Sequence, residues 1–267
     1  MLSMGELIFV GLGLGSVDDM SLKALNELRS CERIYAEFYT SKLIDSSLKD
    51  LEAMVARPIV ALRRVDVEEG DSMIEAARDR KVAFVTAGDT MAATTHVDIR
   101  IRAEEEGIAT RLVHGTSIFS AAPSALGLQP YKFGRTVTLP FPEPGFIPSS
   151  PYERILENKD RGLHTLVLLD IKEEEGRYMT SQQGVRWLLD AEQRMGSGLI
   201  KRDSIICAAA RVGAKDERVA ADYPERMEQL DLGGPLHTLV VPGKLHFMEA
   251  MALVRFAGAP PEIAKED

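Results

Sequence analysis

Along the first half of the chain, short apolar runs alternate with stretches whose apolar positions recur at helical spacing. Runs rich in β-branched and aromatic residues predict strands at Leu7–Val10, Arg33–Phe38, Pro58–Leu62, Val82–Thr86 and Thr110–Val113. Between and after them, amphipathic patterning predicts helices over Ser21–Ser30, Lys42–Met54, Asp71–Arg80, Thr95–Glu106 and Ser117–Leu126. Strands that alternate with helices build βαβ units, so an open, mostly parallel sheet covered on both faces is expected.

The pattern changes at Tyr131. The stretch YKFGRTVTLPFPEPGFIPSSP holds five prolines between Leu139 and Pro151, which remove backbone donors and push their neighbours toward extended conformations. A domain boundary is placed there, giving an N-terminal α/β domain of residues 1–133 and a C-terminal α/β domain of residues 134–267. The second domain is expected to have fewer elements, with strands near His164–Ile171, Ser204–Ala210 and Leu236–Val241. Its helices fall near Tyr152–Asn158, Ser181–Met195 and Leu245–Phe256. The sequence LHTLV occurs at Leu163–Val167 and again at Leu236–Val240, which predicts matching strand entrances in one sheet.

Composition narrows the function classes. A length of 267 residues suits two domains, and 45% hydrophobic with 27% charged residues is ordinary for a globular chain. The net charge of −9 argues against a general nucleic-acid binder, which needs a basic face. Two distant cysteines, Cys31 and Cys207, give neither a disulfide framework nor metal-ligand spacing. His96, His114, His164, His237 and His246 likewise lack ligand spacing, so no metal site is expected. With no basic leader and no apolar run of about 18 residues, a soluble, cytoplasmic protein without a membrane segment is expected.

Three stretches carry candidate chemistry. In IFVGLGLGSVDDMSLKAL, Gly11, Gly13 and Gly15 follow a strand and precede a helix, as in a dinucleotide fingerprint. The third glycine, however, falls one place early, and the loop before the helix is long and acidic where a pyrophosphate wants bare N–H groups. A plain tight turn is the alternative to nicotinamide binding. In VAFVTAGDTMAATTH, small residues and Asp89 follow a strand, leaving room for a ligand at the sheet edge; an Asx turn is the plainer reading. In RLVHGTSIFSAAPSALGL, Ser117 opens a helix either as a simple N-cap or as a donor to a ligand carboxylate.

Taken together, GLGLGS, AEFYTS (Ala36–Ser41), AGDTMAATTH (Ala87–His96), HGTSIFSA (His114–Ala121), YKFG, RGLHTLVLLDIK (Arg161–Lys172) and VPGKLH (Val241–His246) resemble the diphthine synthase family of tetrapyrrole methylases almost end to end. Two departures occur: the usual GDP reads Gly88-Asp89-Thr90, and a common HAPS reads His114-Gly115-Thr116-Ser117. The resemblance implies two α/β domains, S-adenosylmethionine in a cleft between them, and a homodimer. Carried over by position, it assigns cofactor contacts to Leu14, Asp89, Ala92, Ser117, Ile118, Leu169, Val212 and His237.

The implied reaction methylates the amino group of a 3-amino-3-carboxypropyl-histidine on elongation factor 2, giving diphthine with S-adenosylhomocysteine as the other product. A sulfonium is already activated, so no nucleophilic residue is predicted. Candidates for a base or for a substrate-carboxylate partner are Glu37, Tyr39, Lys172, Arg177, Tyr178 and Lys244, each with a surface role as its alternative. Rival readings are a precorrin-type tetrapyrrole methyltransferase, an NAD-binding oxidoreductase and a non-catalytic module that binds a translation factor.

Overall fold

In the computed structural model, which describes residues 5–143 and 147–265, the chain divides into two units. Residues up to Ile118 form the first, joined by Glu173–Glu175 and Gly213–Lys215; the remainder forms the second. This division falls ahead of the Phe133/Gly134 boundary expected from the proline-rich stretch, of which residues 144–146 lie outside the described residues. The YKFG turn sits with the second unit because the Gln129 N–H and Lys132 Nζ both donate to Glu249, near the end of the chain.

The first unit has five strands: β1 (Glu6–Gly11), β2 (Arg33–Glu37), β3 (Val60–Leu62), β4 (Lys81–Thr86) and β5 (Ala109–Val113). They form a wholly parallel sheet in the order β3-β2-β4-β1-β5. Helices α1 (Leu22–Ser30), α2 (Leu48–Val55), α3 (Arg64–Glu68), α4 (Ser72–Ala77) and α5 (Val97–Glu105) connect them. Alternate strand residues serve opposite faces. Ile8, Val10, Ile34, Ala83 and Val85 pack with Leu28 of α1 and Leu51 of α2, while Leu7, Phe9, Tyr35, Val82 and Phe84 pack with Ile74 of α4 and Ile99 of α5. Burial on both faces explains why these strands are continuously apolar. Helix α2 begins at Leu48, not at Lys42, because a capping box at Ser47 fixes its start: the Asp50 N–H donates to Ser47 Oγ and the Ser47 N–H to the Asp50 carboxylate.

The second unit begins in α6 (Ile118–Leu126) and is not poorer in elements than the first. Its strands are β6 (Val137–Leu139), β7 (Thr165–Leu169), the short pair β8 (Ile171–Lys172) and β9 (Arg177–Tyr178), then β10 (Ile206–Ala210), β11 (Arg218–Asp222) and β12 (His237–Val241). Helices α7 (Ser149–Asp160), α8 (Ser181–Met195), α9 (Pro224–Met227) and α10 (Phe247–Phe256) complete it. Five strands form a mixed sheet in the order β11-β10-β12-β7-β6, parallel only between β6 and β7. β6 has three residues and β11 reads RVAAD, too short or too polar to register as apolar runs, which accounts for the undercount. The two LHTLV copies open the neighbouring strands β7 and β12, which run antiparallel, so His164 and His237 lie at opposite ends of the pair.

Candidate functional site

The chain leaves β1 through α1 toward β2 on one side of the first sheet, and leaves β4 through α5 toward β5 on the other. The carboxyl ends of β1 and β4 therefore flank a topological switch point, the usual ligand position in an open parallel sheet. GLGLGS follows β1 and AGDT follows β4.

The glycines at this edge let three backbones cross. A Cβ on Gly11 would meet the Gly88 carbonyl oxygen at 2.5 Å and the Gly115 nitrogen at 2.6 Å, and a Cβ on Gly115 would meet the same Gly88 oxygen at 2.3 Å. Gly13 and Gly88 exchange backbone hydrogen bonds, with Gly13 at φ 87° and Gly88 at φ 72°. Beyond them, the Gly15 and Ser16 N–H groups both donate to Asp19 Oδ2, at 2.6 and 3.0 Å. The chain's own carboxylate thus takes the donors that a pyrophosphate would need. Gly15 is also fixed by a close approach, since its Cβ would strike the Gly213 carbonyl at 2.3 Å.

Asp89 knits this edge together. Its Oδ1 accepts the Met91 N–H, as in the Asx turn weighed from sequence, while Oδ2 accepts the Gly115 N–H at 3.3 Å and lies 2.8 Å from His114 Nδ1. Leu14, Ala92 and Ser117 lie half-buried in the loops after β1, β4 and β5, and Ile118, also half-buried, opens α6 directly after the last of them. All five first-unit candidates therefore lie at or just after the carboxyl ends of strands in one sheet.

The three remaining candidates share one end of the second sheet. Thr238 pairs with Leu168 and His237 with Ala210, which brings Leu169, His237 and the segment leading from Ala210 to Val212 to the same end. His237 is a fully bonded histidine: Nδ1 accepts the Ser181 N–H at 2.9 Å and Nε2–H donates to the Gly234 carbonyl at 2.8 Å. Burial pushes its pKa down, in keeping with that neutral tautomer. Arg211, which sequence reasoning passed over, holds this end with donations to the Leu232 and Gly234 carbonyls and to Asp216. An arginine closing the buried run ICAAA was the signal available.

The substrate candidates separate. Glu37 and Tyr39 are buried on the first unit, and Glu37 accepts the Thr40 N–H and hydroxyl. In the second unit Arg177 and Lys172 lie over the Phe141 ring, at 4.3 and 6.0 Å from its centroid, while Tyr178 pairs with Ile171. Lys244 is exposed, and its carbonyl accepts Lys132 Nζ at 2.7 Å.

Comparison with known proteins places this geometry in a family. The family profile Tetrapyrrole (Corrin/Porphyrin) Methylases matches residues 6–224. A diphthine synthase of Methanosarcina acetivorans is 44% identical over 265 residues, covering 97% of this chain and 99% of its own. One from Methanothermobacter thermautotrophicus is 44% identical over 259 residues, covering 97% and 98%. A crystal structure of diphthine synthase superposes with a TM-score of 0.88 at 37% identity, over 97% of this chain and 98% of that one. The chain belongs to the diphthine synthase family of the tetrapyrrole methylases, and it is a methyltransferase that draws on a methyl donor.

Proposed function

We propose that this methyltransferase uses S-adenosylmethionine to methylate the amino group of the 3-amino-3-carboxypropyl-histidine of elongation factor 2, yielding diphthine. Kinship with diphthine synthases over nearly the whole of both chains carries this reading. The first sheet's edge suits such a donor. Leu14, Ala92 and Ile118 offer apolar contact to an adenosine, and the loops are held by backbone crossings instead of by a pyrophosphate cradle. Leu169, Val212 and His237 are assigned to the same ligand by the resemblance.

When bound, the donor supplies a methyl group already activated by its sulfonium. The protein's task is then to hold a neutral amine in line and to exclude water. Glu37 is ill placed as a base, since it is buried and both its oxygens are engaged by Thr40. The substrate carboxylate calls for a cation, and Arg177, Lys172 and Lys244, all exposed, are the candidates. A second copy of the chain is the expected partner, and α10 turns Phe247, Met248, Met251 and Phe256 to solvent. Among the described residues no helix is long and apolar enough to cross a membrane, and a translation factor as substrate suits a cytoplasmic setting.

The test offers labelled S-adenosylmethionine with two acceptors in parallel, aminocarboxypropylated elongation factor 2 and a precorrin-type macrocycle. Label on the factor alone supports the proposal; label on the macrocycle alone supports the tetrapyrrole reading and overturns it.

A further inference from the structure

The motif AEFYTS and the histidine of ATTH take no part in the contacts assigned above, yet they meet beneath the loop that follows β4. On the last rung of the sheet Gly11 pairs with Thr86 and Thr86 with Glu37. This rung continues the face that carries Phe9, Phe84 and Tyr35, so an otherwise apolar face ends in a hydroxyl and a carboxyl. Glu37 is 0% exposed, and Thr86 and His96 are each 1% exposed.

His96 stacks edge-on against Phe84, with centroids 4.9 Å apart. Its Nδ1–H donates to the Thr90 carbonyl at 3.0 Å, and the Thr94 hydroxyl donates to the same oxygen at 2.7 Å. These bonds close the loop from Thr90 to His96, which contains the donor-site candidate Ala92 and the left-handed Ala93 at φ 58°. The other ring nitrogen, Nε2, is buried without a hydrogen-bond partner and faces Glu37 Oε1 at 3.6 Å.

We propose that Glu37 and His96 act as a pair of positioning residues, the Glu37 carboxyl facing the unpartnered His96 Nε2, that holds the Thr90–His96 loop in the shape that receives the methyl donor. This rests on the reading of S-adenosylmethionine as that donor. Burial pushes the Glu37 pKa up and the His96 pKa down, and both directions favour a neutral pair. The charged groups nearby come from α3: Arg64 lies over the Tyr39 ring at 5.0 Å from its centroid, and Glu68 acts on the Tyr39 hydroxyl. Packing from α4 and α5 is apolar, through Met73, Ile74, Ile99 and Ala103, and β4 contributes Phe84 and Thr86.

The experiment is calorimetric titration of the whole protein and its variants with S-adenosylhomocysteine, after thermal unfolding has verified that each is folded. Glu37→Gln keeps an N–H for Nε2 and a carbonyl for Thr40, so its affinity stays within about threefold of the starting protein. Glu37→Leu and His96→Phe each weaken binding by about tenfold or more, and the double variant is no weaker than about threefold below His96→Phe. Two results overturn the pairing: unchanged affinity in Glu37→Leu and His96→Phe, or a loss in Glu37→Gln equal to that in Glu37→Leu, which would mean a charged carboxylate. Where Glu37→Leu fails to fold, Glu37→Gln alone decides. Failure of the unaltered protein to bind S-adenosylhomocysteine overturns the donor assignment itself and is thereby distinct from a failure of the pair.

Discussion

Glu249 has no exposed surface, and four donors reach its two carboxylate oxygens. Gln129 N–H and His164 Nε2 lie on Oε1, and Lys132 Nζ and His246 N–H on Oε2. His164 completes its own bonding by accepting the Gly243 N–H at Nδ1. Burial alone would raise the Glu249 pKa, but the hydrogen bonds led by Lys132 outweigh it and hold the group at about 2. A depressed carboxylate stabilises the fold above its ordinary pKa of 4.5, and that contribution is lost as pH falls from there toward about 2. Acid-induced unfolding followed by circular dichroism is therefore expected to steepen in this window and to flatten there in Glu249→Gln. Lys132→Met strands a buried carboxylate and is expected to cost about 3–5 kcal/mol in urea unfolding, with no shift of the midpoint as the contrary result. The motifs YKFG, RGLHTL and VPGKLH were legible as family marks, whereas their convergence on Glu249 was not. Sequence displays residue types, but the saturation of one carboxylate by donors from separate segments exists only once the chain is folded.

The crossing of the loops after β1, β4 and β5 is built on Gly11 and Gly115, where a Cβ would displace backbone. Gly115→Ala is expected to destabilise the protein by about 1–3 kcal/mol and to lower its melting temperature, although alanine is common at this position in the pattern HAPS. An unchanged melting temperature would show that the Gly88 carbonyl can move aside. Asp19→Ala frees the Gly15 and Ser16 N–H groups and removes the turn's cap, with an expected loss of about 1 kcal/mol. The order of strands in the first unit was readable because the central strands β1, β2 and β4 are apolar on both faces and every crossover is helical, although the short α3 was not foreseen. Spacing and acidity already spoke against a nucleotide fingerprint, but the filling of the turn by Asp19 itself arises only in the folded chain. In the second unit β6, β9 and β11 escaped notice because two or three residues, or a sequence such as RVAAD, leave no periodic signal.

At the scale of the molecule, a first unit with a parallel sheet and a second with a mixed one belong to a methylase family whose members match this chain along nearly its full length. A ligand that binds only the folded state stabilises it by an amount that grows with the logarithm of its concentration relative to its dissociation constant. S-adenosylhomocysteine at 100 times its dissociation constant is thus expected to add about 2.7 kcal/mol to stability, while NAD at the same concentration adds none. A larger thermal shift with NAD would revive the nucleotide reading of the first turn. The most direct measurement is mass spectrometry of the modified-histidine peptide of elongation factor 2 after incubation with the protein and S-adenosylmethionine. The expected result is a mass gain of whole methyl groups located on the aminocarboxypropyl side chain. An unchanged peptide, from an acceptor that a proven diphthine synthase does methylate, would contradict it.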